Sequence, residues 1–163
     1  MIVRGYKCFN KDFTNRYGVK FEVGKIYIAD SQVKSGLNGK KYRLCKNLED
    51  TFRYFDAVNY DIKICEVIGS GNVVTYIDEY YGYYDMYAVE KIKIKKELIH
   101  EEIISYGLNL NPTSVKRFIQ GFKLMEEEII MFKEKFKNEQ SVLDTIAYYK
   151  ENNKEVYKKG YYG

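Results

Sequence analysis

The sequence has few of the side chains that build recognisable active sites. Its 163 residues include one histidine, one proline and no tryptophan. The three cysteines, Cys8, Cys45 and Cys65, are an odd number at wide spacing, which is typical of a reduced intracellular protein. No C-x2-C pair, the usual source of zinc ligands, occurs. A zinc site from these cysteines and His100, or a Cys45–His100 nucleophile pair, would have to be assembled by the fold. We therefore expect no metal and no cofactor.

Long apolar stretches are also missing from the sequence. No segment approaches the roughly 18 apolar residues that a membrane helix needs. Met1–Lys7 has neither the apolar run nor the cleavage site of a signal peptide. The sequence therefore predicts a cytoplasmic protein without a membrane partner.

Tyrosine and charge are abundant. There are 18 tyrosines, and 27 Lys and Arg against 23 Asp and Glu give a net charge of +4. The excess lies in residues 1–98, where 17 basic minus 13 acidic residues equals +4, whereas residues 99–163 have 10 of each. So small a surplus does not by itself indicate a nucleic-acid partner.

Hydrophobic periodicity divides the chain into a β-rich part and a helical part. Gly69-Ser70-Gly71-Asn72 predicts a turn between two of the strands, and Asn47–Phe55 predicts a short helix capped by Asn47. We predict an α+β fold. A small mixed or antiparallel sheet with one short helix occupies residues 1–98, and a helical extension or hairpin occupies 99–163. The predicted strands are Val3–Phe9, Ile26–Ala29, Lys41–Cys45, Ile62–Ile68 and Tyr87–Ile94.

The helical part carries a heptad pattern. Asn111-Pro112 predicts a helix start, because asparagine is a good N-cap and proline fits the first helical position. Apolar residues then recur in steps of three and four, which predicts one long helix with a continuous seam. An isolated helix of this length is only marginally stable in water. We expect the seam either to complete the core or to form a homodimer interface. Its residues are Val115, Phe118, Phe122, Met125, Ile129, Phe132 and Phe136.

Four segments of the first hundred residues occur in a recognisable order. They are Arg4-Gly5-Tyr6-Lys7, Phe21–Tyr27, Tyr42–Phe55 and Lys91–Leu98. This order resembles a small domain family found mostly in phage and prophage proteins, whose members tend to run KGYKGF, FEVGKxY, GFHxCENPLDVFxYY and KIxIIKEL. The resemblance covers about residues 3–98. It implies a phage-encoded protein in the cytoplasm of a bacterial host.

The chain departs from the family pattern at its polar positions. Where the family usually has His, Glu and Pro, this chain has Arg43, Lys46 and Leu48. The side chains one would nominate for chemistry are replaced, so we predict a protein that inhibits or remodels a host protein by binding it, without catalysis. The resemblance makes an anti-CRISPR or other anti-defence role, directed at a defence-system nucleoprotein, the leading specific hypothesis.

Two segments are candidate partner-binding surfaces. The basic segment, residues 34–46, contains no acidic residue and includes Lys40, Lys41, Arg43 and Lys46. The tyrosine–acidic segment, residues 76–87, contains six tyrosines. Tyrosine supplies a large contact area with a polar tip, and the acidic residues suit a basic protein patch. Its nominated residues are Asp78, Glu79, Tyr80, Tyr81, Tyr83, Tyr84 and Asp85.

Two other functions remain open at this point. An enzyme similar to the ADP-ribosyltransferases would hold a nucleotide phosphate with Arg4 and polarise a ribose hydroxyl with Glu90, in a cleft lined by both. A nucleic-acid-binding accessory protein would contact phosphates through Lys40, Lys41 and Arg43.

Overall fold

The computed structural model describes residues 1–29, 41–78 and 84–152, and at 76–78, 84, 85 and 152 it describes the backbone alone. The chain divides into two compact units. The first comprises Met1–Thr51 and Ile62–Leu98, and the second comprises Phe52–Asp61 and Ile99–Gly163. The division predicted at residue 98 did not include Phe52–Asp61 in the helical part.

The first unit is an antiparallel sheet. Its strand order is β2-β5-β3-β1-β4, and β4 also pairs with β5, so that β1, β3, β5 and β4 close on themselves. Together with the helices described below, this confirms the predicted α+β fold class. The strands are β1 (Val3–Asn10), β2 (Ile26–Ile28), β3 (Tyr42–Cys45), β4 (Ile62–Asp78) and β5 (Tyr84–Glu97).

The core of the first unit lies inside this closed sheet, where alternate side chains of each strand point. Phe21 lies at its centre, with ring centroids 5.1 Å from Phe9 and 4.8 Å from Tyr27. Burial of such aromatic and branched side chains is the main source of stability for the unit. The buried set is Val3, Phe9, Phe21, Leu44, Cys65, Val67, Val89, Ile92 and Ile94.

The turn predicted at Gly69-Ser70-Gly71-Asn72 is wrong. β4 runs through all four residues, with an irregularity in its pairing between Ser70 and Val73. Gly71 has a φ of 79°, a conformation that glycine adopts without strain. A Cβ at Gly71 would lie 3.0 Å from the Cβ of Glu90 on β5. The bulge accommodates the glycine-rich stretch inside one long strand.

The short helix predicted at Asn47–Phe55 is a 3₁₀ helix, Leu48–Arg53. Asn47 precedes this helix, and its Nδ2 donates to Asp50 Oδ2 at 3.2 Å.

Helices make up most of the described second unit. The predicted helix start at Asn111 is confirmed, because its side-chain oxygen accepts the Ser114 N–H at 2.8 Å. The helices are α1 (His100–Leu108), α2 (Pro112–Gly121), α3 (Glu126–Lys135) and α4 (Gln140–Ile146), and α4 continues into a π-helical segment, Ala147–Asn152.

The prediction of one long helix from residue 112 to residue 136 is wrong. α2 ends at Gly121, and the next residue, Phe122, is extended with φ −124° and ψ 138°. Phe122 forms a parallel bridge with Ala57, and the Lys123 N–H donates to the Ala57 carbonyl at 3.2 Å. The connection between α2 and α3 is therefore held by a segment about 65 residues earlier in the chain, which heptad spacing does not report.

The structure places most of the heptad seam inside the second unit. Val115, Phe118, Phe122, Phe132 and Phe136 are buried, Ile129 is half-buried, and Met125 is 52% exposed. The Phe118 ring lies 5.4 Å from Phe122 and 5.8 Å from Phe132. Gly107 in α1 leaves room for this cluster, since a Cβ there would come 2.5 Å from Phe118 Cε1. These aromatic side chains form the core of the helical unit.

Candidate protein-interaction site

The longest paired element of the first unit is the β4–β5 hairpin. Its pairing runs from Cys65 opposite Glu97 to Asp78 opposite Tyr84. β1 covers the other edge of β4 only as far as Gly69, which lies opposite Val3. From residue 70 to residue 78, no strand in the described part of the chain pairs with this outer edge of β4. The outer edge of β4 therefore continues past β1, whereas on the other side of the hairpin β3 pairs with β5 from Met86 to Val89.

The first residues of this extension have little cover. Val73 is half-buried and packs against the core, whereas Val74 is 37% exposed and Thr75 is exposed. Sequence reasoning missed this strand edge because it ended β4 at residue 68. The β-branched run Val73-Val74-Thr75 was the available signal.

The described parts of the tyrosine–acidic segment, residues 76–78 and 84–87, lie at the far end of the β4–β5 pairing. Four of its nominated residues lie outside the described residues: Glu79, Tyr80, Tyr81 and Tyr83. The backbone places Asp78, Tyr84 and Asp85 at the last paired positions of β4 and β5. Tyr87 is half-buried and packs against the core. The sequence from Gly71 to Glu90 has four acidic residues and no Lys or Arg. This part of the chain, residues 71–90, therefore carries a charge of −4, while the net charge of the whole chain is +4.

The basic segment lies partly on β3. Lys40 is outside the described residues, while Lys41 and Arg43 are half-buried and Lys46 is exposed. Lys46 Nζ lies 5.9 Å from the centroid of the Tyr87 ring, within reach of a cation–π contact. Lys46, the residue that follows β3, is thus placed beside Tyr87 on β5.

A further cation lies beside the basic segment. Lys7 Nζ donates to the Arg43 carbonyl at 2.9 Å, where β1 and β3 share a single paired position, Tyr6 opposite Cys45. Burial, with a smaller contribution from the charges of Arg43 and Arg16, lowers the pKa of Lys7 to about 8. The sequence indicated Arg43 but not Lys7, because Lys7 reads as an ordinary strand residue.

Arg4 and Glu90 are not brought to neighbouring positions. Arg4 on β1 lies opposite Ile68, which lies opposite Lys93 on β5, and Glu90 is three residues from Lys93 along β5. The backbones of Arg4 and Glu90 are therefore separated by two strand spacings and by three residues along the strand, which corresponds to a distance of about 14 Å. Arg4 is exposed and Glu90 is half-buried beside the Gly71 bulge.

The thiols are enclosed by the sheet. Cys8, Cys45 and Cys65 are all buried, and none of them forms a disulfide. Burial raises the pKa of Cys8 and of Cys65 to about 12, which keeps both as neutral thiols. Cys45 Sγ lies 3.5 Å from Met86 Sδ. Among the described residues, no three side chains of His, Cys, Asp or Glu come together as a metal site.

His100 belongs to the second unit and is bonded to Glu128. Its Nε2 lies 2.6 Å from Glu128 Oε2, and its ring lies 5.8 Å from the Phe122 ring. The other carboxylate oxygen accepts the Met125 N–H at 2.9 Å. Sequence reasoning missed Glu128, since Met125 is not a usual capping residue.

Lys150 is the second buried cation that the sequence did not reveal. It is 7% exposed, and its Nζ donates to the Phe122 carbonyl at 2.7 Å. Burial lowers its pKa to about 7. Nothing in the local sequence distinguishes this lysine from its neighbours.

Comparisons with known proteins identify a family. A family model described as a domain of unknown function (DUF7666) matches residues 3–106. No curated protein and no solved structure matches the chain. Within the residues that the structure describes, no helix has the length and apolar character needed to cross a bilayer.

Proposed function

We propose that this chain, which belongs to the family described as a domain of unknown function (DUF7666), is a non-catalytic binding protein. It acts by occupying or remodelling the surface of a host protein, and the β4–β5 hairpin is its contact element. The tyrosine-rich end makes the contact, and the acidic residues select a basic surface on the partner.

The observation that carries this proposal is the extension of the hairpin past β1. Beyond Gly69, β4 is paired on one side only within the described chain, and this part carries exposed β-branched residues followed by the tyrosine–acidic segment. Tyrosine and acidic side chains at the end of a long hairpin can enter a partner's surface without disturbing the core behind them.

The resemblance of the motif order to phage and prophage proteins supplies the setting. A small protein of this kind works inside a bacterial host, and an anti-CRISPR or other anti-defence target is the specific form of the proposal. The net charge of +4, combined with a charge of −4 over residues 71–90, suits a nucleoprotein target, whose protein component offers basic surfaces next to nucleic acid.

The test is affinity purification from the native host with a hairpin variant and a matched control. The variant carries alanine at Tyr80, Tyr81, Tyr83 and Tyr84. The control carries alanine at three exposed tyrosines elsewhere, Tyr17, Tyr60 and Tyr148.

We expect the control to retain the specific partner and the hairpin variant to lose it, with unchanged far-UV circular dichroism for both. A hairpin variant that retains the partner contradicts the proposal. Covalent modification of the captured partner, detected by mass spectrometry, contradicts the non-catalytic part.

A second candidate is nucleic-acid binding through the basic segment. The proximity of Lys7 to Arg43 favours it, since clustered cations are the electrostatic footprint of phosphate contacts. Its test is binding of a 5′-labelled oligonucleotide of about 20 nucleotides, in which affinity falls steeply from about 50 to about 200 mM salt. Substitution of Lys40, Lys41 and Arg43 by Ser should remove the binding, and a flat salt response rejects this candidate.

A further inference from the structure

We propose that the outer edge of β4, from Val73 to Ile77, accepts an extended segment of the partner as an added strand. The segment is an alternation of apolar and basic residues. This inference rests on the proposed function and assigns it a mode of contact, β-strand addition.

The edge has the geometry that strand addition requires. In an antiparallel pair, alternate residues direct their N–H and C=O groups away from the neighbouring strand. β5 pairs with β4 along this whole stretch, from Val73 opposite Val89 to Ile77 opposite Asp85. The outward-directed groups of these five residues have no strand partner in the described part of the chain. They form a row of donors and acceptors that another chain can pair with.

The edge lacks the usual protection against pairing. Natural sheets blunt their edges with Lys, Pro, a bulge within the edge, or a very short strand. The stretch Val73-Val74-Thr75-Tyr76-Ile77 contains neither Lys nor Pro. The bulge of β4 lies between Ser70 and Val73, just before this stretch. By contrast β2, at the other end of the strand order, is only three residues long.

Charge decides which occupant the edge prefers. The hairpin from Gly71 to Glu90 carries four acidic residues and no basic one. Two copies paired edge to edge would bring two charges of −4 side by side, which opposes self-association. A strand in which Lys or Arg alternates with apolar residues instead presents its cations on the face of the sheet that positions 74 and 78 share. Its apolar side chains then lie on the face of Val73, which packs against the core. We therefore assign the edge to a basic, extended partner segment and not to a second copy.

A designed peptide tests the inference on the intact protein. The probe is an acetylated peptide of about seven residues in which Val alternates with Lys, a length matched to the free edge. The comparison peptides have Glu in place of Lys, or Pro at the centre. Binding is followed by fluorescence polarisation, and the site is mapped from amide shifts in ¹⁵N spectra.

We expect the Lys peptide to bind with the largest amide shifts at Val73–Thr75, and the Glu and Pro peptides to bind at least about tenfold more weakly. V74K adds a charge at an exposed edge position and should reduce affinity for the Lys peptide about tenfold. I28K, at an exposed apolar residue of β2, is the matched control and should bind the peptide as the unmodified protein does.

Three results overturn the inference. They are no binding up to millimolar peptide, shifts centred on Ile26–Ile28, and equal binding of the Pro peptide. Concentration-dependent dimerisation that V74K abolishes would assign the edge to a second copy and overturn the choice of occupant. Circular dichroism and urea unfolding of V74K confirm that the variant is folded.

The two proposals fail separately. If the tyrosine variant loses the host partner while V74K retains it, the proposed function stands and strand addition fails. If the peptide binds at β4 but the tyrosine variant retains the host partner, strand addition stands and the proposed role of the tyrosine segment fails.

Discussion

Glu128 joins His100 to the start of α3 through its two carboxylate oxygens. Oε2 lies 2.6 Å from His100 Nε2, and Oε1 accepts the Met125 N–H at 2.9 Å. The Glu128 side chain is 8% exposed, while His100 is 42% exposed. The single histidine of the chain therefore supports a helix start, in a position where its Nε2 is engaged by a carboxylate.

Replacing Glu128 should destabilise the helical unit. We expect E128A to lower the free energy of unfolding by about 1–2 kcal/mol, because the Met125 N–H loses its acceptor and His100 loses its partner. The measurement is urea unfolding followed by circular dichroism. E127A is the control, since Glu127 is in the same first turn but exposed, and it should change stability by less than about 0.5 kcal/mol. Equal effects of the two substitutions would mean that the bonds of Glu128 contribute nothing.

Burial of Lys150 predicts a pH dependence of stability. Its pKa is about 7 when folded and 10.5 in its ordinary range. Between these values the unfolded chain binds more protons, so stability rises as pH increases, by at most about 1.4 kcal/mol per pH unit for one group. K150M should flatten the rise between pH 7 and 8, measured by urea unfolding at several pH values.

Other buried groups limit the useful pH range for that measurement. Lys7, with a folded pKa of about 8, adds a rise of the same sign above pH 8. Burial raises the pKa of the Cys8 and Cys65 thiols from an ordinary value of 9.0 to about 12. Above about pH 9 these thiols ionise in the unfolded chain but not in the folded protein, so stability falls as pH rises. A rise between pH 7 and 8 that K150M leaves intact would show that Lys150 is not its source.

The heptad residues should separate into core and surface positions. F132A should cost about 3–5 kcal/mol, because Phe132 is fully buried against Phe118 and Phe136. M125A, at a position 52% exposed, should cost less than about 1 kcal/mol. Sedimentation equilibrium checks the alternative, since a dimer interface along the seam would make both substitutions shift the oligomeric state.

The thiols should be protected from modification in the folded protein. Cys8, Cys45 and Cys65 are buried, so reaction with a disulfide reagent at pH 8 should be at least about a hundredfold slower than in denaturant. The absorbance of the released thiolate measures both rates, and denaturant should expose all three thiols. Rapid labelling of one thiol in the native protein would revive the idea of a reactive cysteine.

Local patterns predicted the elements whose signals are carried by adjacent residues. Asn111-Pro112 predicted the start of α2 because the cap, the proline and the first turn are neighbours in the chain. The strands of the first unit were predicted by short apolar runs. The turn at residues 69–72 was wrong because glycine favours both turns and bulges, and only the pairing of β4 with β5 distinguishes them.

The candidate site was predicted in composition but not in form. The tyrosine and acidic residues were nominated from the sequence. The structure adds that Asp78, Tyr84 and Asp85 lie at the last paired positions of β4 and β5, beyond a stretch of β4 whose outer edge no described strand pairs. The unpaired edge of β4 results from the end of β1 at its pairing with Gly69, and the sequence of the hairpin alone does not indicate where β1 ends. Lys7 and Lys150 were missed for a similar reason, since their burial comes from strands and helices distant in sequence.

The sequence by itself determined the α+β class, the segregation of acidic and basic charge, and the apolar residues available for two cores. These follow from composition and short-range periodicity, which act through local conformational preference and burial. Only the tertiary structure decided that the helix carrying the heptad seam ends before Phe122, that Glu128 contacts His100, and that β4 extends beyond its pairing with β1. Each of these depends on contacts between residues far apart in the chain, whose free energies exceed the local preferences that the sequence displays.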